Sequence, residues 1–302
     1  MLRIQFVSIL AMLTGVVFAQ SNLHWVKHFG GAGKDNIDFV QIGMDKSIYT
    51  SGKFSSTVDF NPGIGTNILH SSGDYDVFIT KFDSNGNYIW AYKIGGTSPE
   101  LVASMKLDES ENIYITGTFM DTVDFDPGAG VYTLHSVVTS SFILKLNKDG
   151  HFIWVKQIDN LLYGLQIFNV VGNNLYFNGR FNFTIDVDPG INTFNLITNG
   201  NGDIFLLKLD SSGHFIWANQ IGGNGYDVAN DAIIDSASNI YLCGYFSDTC
   251  DFHPNISIYN LYPQYGSAYI LKLDSNGNFI WAKNYGTPLA GGQAYGRGIA
   301  ID

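Results

Sequence analysis

Residues 203–223 read DIFLLKLDSSGHFIWANQIGG. In DIFLLKLD the apolar side chains fall on both faces of an extended chain, Ile204 and Leu206 on one, Phe205 and Leu207 on the other. A strand apolar on both sides belongs in a sheet packed on both sides. Ser-Ser-Gly-His breaks the run and FIWANQIGG resumes it. Asn-Gly and Asp-Gly stand at this place in other copies, where positive φ matches strand twist, so the two segments read as a hairpin.

The same text is written four times. Its other copies are DVFITKFDSNGNYIWAYKIGG (76–96), SFILKLNKDGHFIWVKQI (141–158) and AYILKLDSNGNFIWAKNYG (268–286). All five tryptophans mark the period: Trp25, Trp90, Trp154, Trp217 and Trp281 are spaced 65, 64, 63 and 64. Lys81, Lys145, Lys208 and Lys272 are spaced 64, 63 and 64. Gly52, Gly117, Gly179 and Gly244 are spaced 65, 62 and 65, as are Pro62, Pro127, Pro189 and Pro254. Such self-similarity signals a repeat architecture.

Upstream of each copy lie three more segments. An alternating stretch ends in Asp: DFVQIGMD, LVASMKLD and VANDAIID. IYTSGKF, IYITGTF, LYFNGRF or IYLCGYF follows, then VDFNPG, VDFDPG, IDVDPG or CDFHPN. The segments are short and rich in Ile, Val, Tyr and Phe, which predicts strands bounded by turns. Pro-Gly at 62–63, 127–128 and 189–190 suits the central pair of a type II turn. Each unit is then a four-stranded antiparallel sheet with two apolar faces. Radial stacking of such sheets, a β-propeller, buries both faces. A solenoid repeat is usually about 20–45 residues, too short for this unit. The extra length over a WD-type blade lies around the Pro-Gly segment, which should form an outer loop or an added hairpin.

Composition agrees. Of 302 residues, 34 are Gly, 22 Phe and 17 Tyr, a mixture suited to short strands and tight turns. Only 14% are charged and 45% are hydrophobic, so the chain is not disordered. The net charge of −11 argues against tight nonspecific binding to nucleic acid or anionic lipid.

Residues 1–19, MLRIQFVSILAMLTGVVFA, have the three parts of a secretory signal peptide, with Val17 and Ala19 before a cut at Gln20. The apolar run from Ile4 to Phe18 is shorter than the ~20 residues that span a bilayer. Loss of Arg3 leaves 15 basic and 27 acidic residues, a net charge of −12. No other segment is apolar enough to span a membrane. Cys243 and Cys250, the only cysteines, fit either a local disulfide of an exported chain or two buried thiols.

The ordered series IYxxGxF, VDFxPG, F-I-x-K-L-D and GxFIWAxxxGG resembles the bacterial beta-propeller repeat known as the SBBP repeat, over residues 24–302. The resemblance implies a seven-bladed propeller in secreted or surface-exposed proteins. Many of these end in a sorting domain read by a type IX secretion system. It implies no general enzymatic activity. The third unit departs from the pattern, with Asp159-Asn160 in place of Gly-Gly. The chain opens at the Trp25 strand and stops at GIAID (298–302), a first strand without its second. Unpaired sheet edges are a liability, so the expectation is the front part of a longer protein; the alternative is a complete chain that closes imperfectly or pairs with another copy.

Several constellations invite chemistry. Gly30-Gly31-Ala32-Gly33-Lys34 hints at a phosphate loop, but His28 stands at the required first Gly and Asp35 at the Ser/Thr. Gly-Gly recurs at 95–96 and 222–223, which suggests flexible crossings between blades where only glycine takes the needed φ. Asp124-x-Asp126 and Asp186-x-Asp188 could offer calcium two carboxylates each, against the ~6–8 oxygens it needs. An Asx turn before Pro-Gly is the simpler reading. DSNGN at 83–87 and 274–278 starts like an EF-hand loop, yet Ile94 and Tyr285 occupy the place of its Glu. The histidines, His24, His28, His70, His135, His151, His214 and His253, suggest no zinc cluster or triad. The recurrent lysines are expected to pair within their own blade, with the Asp of the VDFxPG segment, or to snorkel. The tryptophans are expected in blade packing rather than under a sugar.

The expectation is therefore an all-β propeller of four full repeats of about 64 residues plus partial units at both ends, spanning residues 20–302 after a signal peptide. It would act outside the cell or at its surface as a non-enzymatic binding or scaffold module for a protein or polysaccharide. The alternative is the propeller of an extracellular polysaccharide-active enzyme. Its catalytic groups would be non-repeated polar residues near the axis, with 159–164 and CDFHPN as the most divergent places. No residue is assigned a catalytic, cofactor-binding or metal role, and no cofactor is expected.

Overall fold

The computed structural model describes residues 25–161, 164–254, 257–263, 265–286 and 292–301. The expected signal peptide, His24 and part of the 159–164 segment lie outside these residues. All regular structure among them is β, in 23 strands.

A two-residue strand, β1 (Gly30–Gly31), precedes the first unit. That unit runs β2 (Asn36–Ile42), β3 (Ile48–Phe54), a short hairpin β4 (Thr57–Asp59) and β5 (Ile68–His70), then β6 (Asp76–Phe82) and β7 (Tyr88–Ile94). The second is β8 (Leu101–Leu107), β9 (Ile113–Asp124), β10 (Thr133–Leu146) and β11 (Phe152–Ile158). The third is β12 (Leu165–Val171), β13 (Asn174–Phe181), the hairpin β14 (Thr184–Asp186) and β15 (Asn195–Ile197), β16 (Asp203–Asp210) and β17 (Phe215–Gly223). The fourth is β18 (Asp227–Ile234), β19 (Ile240–Phe246), β20 (Cys250–Asp251), β21 (Asn260–Leu261), β22 (Ser267–Leu273) and β23 (Phe279–Tyr285).

Each unit is the expected four-stranded antiparallel meander, such as β2-β3-β6-β7. The Pro-Gly segment forms the expected added hairpin between second and third strands; in the second unit it is continuous with β9 and β10. The third strands carry the burial that their two-sided apolar pattern predicts, and every residue of β6 is buried. Among the described residues one apolar cluster, around Phe54, Phe60 and Phe78, belongs to the first unit, and the other three lie between units. Ile79 and Ile94 of the first unit pack with Met105, Ile115 and Phe142 of the second. Ile143 and Ile158 meet Leu165, Phe177 and Phe205. Leu206 and Ile221 meet Leu242, Phe252 and Leu271. A buried side chain of this kind contributes about 1.5–3 kcal/mol, so each sheet depends on its neighbours.

The turns obey a different rule from the one expected. In 83–87 only Gly86 has positive φ (74°), and the Asp83 carboxylate accepts from the amides of Asn85 and Asn87. Asp210 and Asp274 do the same around Gly213 and Gly277, as does the Asn147 side-chain oxygen around Gly150. These are longer loops closed by a left-handed glycine, not two-residue turns with both central residues at positive φ. Gly63, Gly128 and Gly190 do not have positive φ, so Pro-Gly does not form a type II turn. The segment is instead a double Asx turn: Asp126 and Gly128 donate to Asp124 and Asp126 respectively, and Tyr132 donates to Asp124. The same pattern recurs at Asp59 and Asp186.

Gly-Gly is not a flexible crossing. Gly30 and Gly31 pair with Asp59 and Val58, and Gly222 and Gly223 with Asp251 and Cys250, so each pair stitches a unit to the next added hairpin. None of these glycines has positive φ. Glycine is required by close approach. A Cβ on Gly31, Gly96 or Gly223 would strike the carbonyl oxygen of Thr57, Thr122 or Thr249.

The recurrent lysines also bond differently from expectation. Lys145 Nζ donates to the Ser211 carbonyl of the next unit at 2.9 Å and lies 4.9 Å over the Tyr114 ring. Lys81 reaches Lys148 O at 3.3 Å and Lys208 reaches Ser275 O at 3.4 Å, each over its own tyrosine, Tyr49 or Tyr176. Lys81 also lies 4.0 Å from Glu111 of the next unit, and no lysine of the set meets the Asp of its own Pro-Gly segment. At Lys145 and Lys208 the ammonium rests on a carbonyl and an aromatic face, and at Lys81 the Glu111 carboxylate joins them. The tryptophans pack between units, half-buried, on the turn glycine of the next: Trp90 on Gly150, Trp154 on Gly213 and Trp217 on Gly277.

Candidate functional site

The first strands of all four units line one cavity of about 270 Å³. Phe39 and Gln41 come from β2, Ala103 to Lys106 from β8, Gln166 to Phe168 from β12, and Asp231 and Ala232 from β18; Asn178 of β13 joins them. A linear stack would not bring units one and four to a common cavity. The all-β arrangement is therefore compatible with a propeller-like fold, although the described residues do not close a ring.

Every first strand is bulged where it meets the cavity. The register slips between Ile37 and Phe39, Val102 and Ser104, Ile167 and Asn169, and Ala229 and Asp231. Bulges re-aim side chains and bend the strand. Two lining groups hold neighbouring chain: Ser104 donates to the Ile167 carbonyl at 2.9 Å, and Asp231 accepts from the Ile299 amide at 2.9 Å. Gln41, Lys106 and Gln166 supply amide and ammonium groups around apolar Phe39, Met105 and Ile167. This lining suits hydrogen bonding to an uncharged or anionic polar group. These residues are the non-repeated polar positions of the first strands. Their only signal in the sequence is that QIGMD, SMKLD and DAIID differ where the flanking segments repeat.

The divergent places lie elsewhere. Asn160 lines a separate cavity of about 360 Å³ with Val138, Phe181 and Phe183. In CDFHPN, the Asp251 carboxylate accepts from His253 and Tyr259 amides, and the His253 ring stacks on Phe279 at 5.0 Å. Asp124 and Asp186 each accept two backbone amides at Oδ1, as the Asx reading expects. Among the described residues no group of three or more His, Cys, Asp or Glu is placed to hold a metal. His70 and His135 face Thr57 and Thr122 across the added hairpins, and His151 and His214 sit in exposed turns. Cys243 and Cys250 are free and buried, and burial raises both thiol pKa values.

Displaced acidity is concentrated away from the cavity. Burial pushes Glu100 up to about 8 and Asp227 up to about 7. Such groups are candidates for general acids. Both are fully buried, and one oxygen of each accepts the amide of a crossing glycine, Gly96 or Gly223, at 2.8 and 2.9 Å. They cap the joint between units and do not reach a substrate.

No family model matches the chain. It is 25% identical over 209 residues to an uncharacterized WD repeat-containing protein of Acanthamoeba polyphaga mimivirus, covering 61% of this chain and 15% of that protein. The chain thus spans less than a sixth of the length of this relative. The similarity is to a repeat protein and agrees with an all-β repeat architecture.

Proposed function

We propose that the chain is a β-propeller-type module that binds a protein or polysaccharide partner outside the cell, without catalysing a reaction. One observation carries this reading: the unrepeated polar side chains of the four first strands meet at a single cavity. Repeated residues build the junctions, which frees the variable ones for recognition. A relative named for WD repeats supports the propeller; the signal-like sequence at 1–19 supports export, and the SBBP-like signature supports both. Fold alone does not define a partner.

The test is binding of the purified chain to a peptide library and to a polysaccharide array, repeated with Lys106→Ala and Gln166→Ala. A ligand whose affinity falls about tenfold or more in either variant, with stability unchanged, is expected. Binding untouched by both, or turnover of a bound polysaccharide, would overturn the reading. N-terminal sequencing of the secreted product should begin at Gln20.

A further inference from the structure

Arg180 stands where the repeat does not require a cation. The same position on the other second strands holds Lys53, Thr118 or Tyr245. The Arg180 guanidinium lies 4.4 Å over the ring of Tyr226, in the segment that leads into the fourth unit, and that tyrosine is 40% exposed. The two residues border a cavity of about 140 Å³ together with the carboxamides of Gln166 and Asn178. Gln166 and Asn178 also line the cavity of the four first strands, so the two spaces adjoin.

The charge of this place is unlike that of the chain. Acidic residues number 27 against 16 basic ones, yet among the described residues no carboxylate lines the Arg180 cavity. In the first-strand cavity Asp231 shares the lining with Lys106 and offsets its charge. An anionic group is therefore better placed at Arg180 than at Lys106. A guanidinium lying over an aromatic ring carries its N–H donors in its own plane, where they match the two oxygens of a carboxylate. A carboxamide both donates and accepts, as a sugar hydroxyl does. Apart from Tyr226, the apolar lining is only Val228 and Ala229, too little to seat the large apolar anchors that hold protein partners.

We propose that this cavity holds one uronate unit of an acidic polysaccharide, with its carboxylate on the Arg180 guanidinium and its hydroxyls on Gln166 and Asn178. The proposal rests on the binding role given above and narrows the partner to an acidic sugar chain. A single cation in an acidic chain selects for the carboxylate of one sugar, not for a densely charged polymer.

Isothermal titration calorimetry of the purified chain tests this. The probes are trimers of galacturonate, glucuronate and mannuronate, each also as its uncharged methyl ester. At least one acid trimer should bind about tenfold or more tightly than its ester, as a charge-assisted pair provides. Arg180→Gln should remove that preference and Arg180→Lys should keep part of it, with folding checked by circular dichroism. Gln166→Ala should weaken acid and ester alike. The comparison of acid with ester uses the unaltered chain, so it decides even where a variant fails to fold. Equal binding of acid and ester, or a preference that survives Arg180→Gln, would overturn the uronate site and leave the binding role standing. So would tighter binding of a glutamate-rich peptide than of any trimer; the larger cavity bordered by Arg180, apolar around Phe181 and Phe183, would then seat the peptide. Absence of heat with every trimer up to about 1 mM would also overturn the site. If the peptide library and the polysaccharide array are blank as well, the binding role falls with it.

Discussion

Asp159, just past the end of β11, faces Ser140 within β10, and the Ser140 hydroxyl donates to the Asp159 carboxylate at 2.9 Å. In the first and third units the carboxylate comes from the other strand, with Asp76 opposite Gly95 and Asp203 opposite Gly222. The carboxylate stays in place while its bearer changes. A Cβ on Gly95 or Gly222 would overlap the opposing carboxyl group, so a side chain fits on one strand only. In the fourth unit Ser267 faces Gly286 and the acid is absent.

Swapping the pair should therefore be better tolerated than changing half of it. Ser140→Asp alone sets two carboxylates against each other and should destabilise by about 2 kcal/mol or more. Adding Asp159→Gly should recover most of that loss. A double-mutant cycle by urea unfolding would show coupling of about 1–3 kcal/mol; additive effects would refute the exchange.

Lys93 satisfies buried Asp76 at 2.8 Å, whereas Gln220 holds the equivalent place beside Asp203. Burial raises the Asp203 pKa. Gln220→Lys should supply the missing charge, lower that pKa and stabilise the chain by about 1 kcal/mol at neutral pH. An unchanged urea midpoint would count against this account.

Glu100 and Asp227 set a pH dependence with an unusual sign. Their folded pKa values, about 8 and about 7, lie above the ordinary values of 4.5 and 3.8. The folded state binds more protons in those windows, so stability falls as pH rises through them. Thermal unfolding should occur at higher temperature at pH 6, inside both windows, than at pH 8.5, above both. Glu100→Gln with Asp227→Asn should flatten the profile. The Asp76, Lys93 and Asp121 charges around Glu100 remain in that variant.

Two glycines at positive φ separate turn strain from junction packing. Gly172 (φ 54°) has open space where a Cβ would go, whereas a Cβ on Gly150 (φ 83°) would lie 2.5 Å from the Tyr92 ring of the preceding unit. Gly172→Ala should cost about 1 kcal/mol, and Gly150→Ala distinctly more. Equal losses in chemical denaturation would mean that the turn does not bear on its neighbour.

Cys243 and Cys250 should react with a thiol reagent only after unfolding, since both are buried and burial disfavours the thiolate. A reducing agent should leave the melting temperature unchanged. Prompt modification of the folded chain, or a loss of stability on reduction, would contradict free buried thiols.

The sequence by itself determined the repeat, the four-stranded unit, its hairpins and the added hairpin at Pro-Gly. These rest on local physics: alternation of apolar residues, β-branched runs and turn residues at fixed offsets. Tertiary structure decided who touches whom. Gly-Gly reads as a flexible hinge until Thr57 and Thr249 are seen against it. Lys145 reads as a partner for a nearby Asp until its ammonium is found on Ser211, 66 residues away. Asp159 reads as a lapse in the pattern until Ser140 appears opposite. The shared cavity was least legible, because residues from four first strands about a repeat apart make a site only once the sheets stack. Backbone preference is written in neighbouring residues; close approach, burial and the satisfaction of a buried charge depend on atoms that only the folded chain brings together.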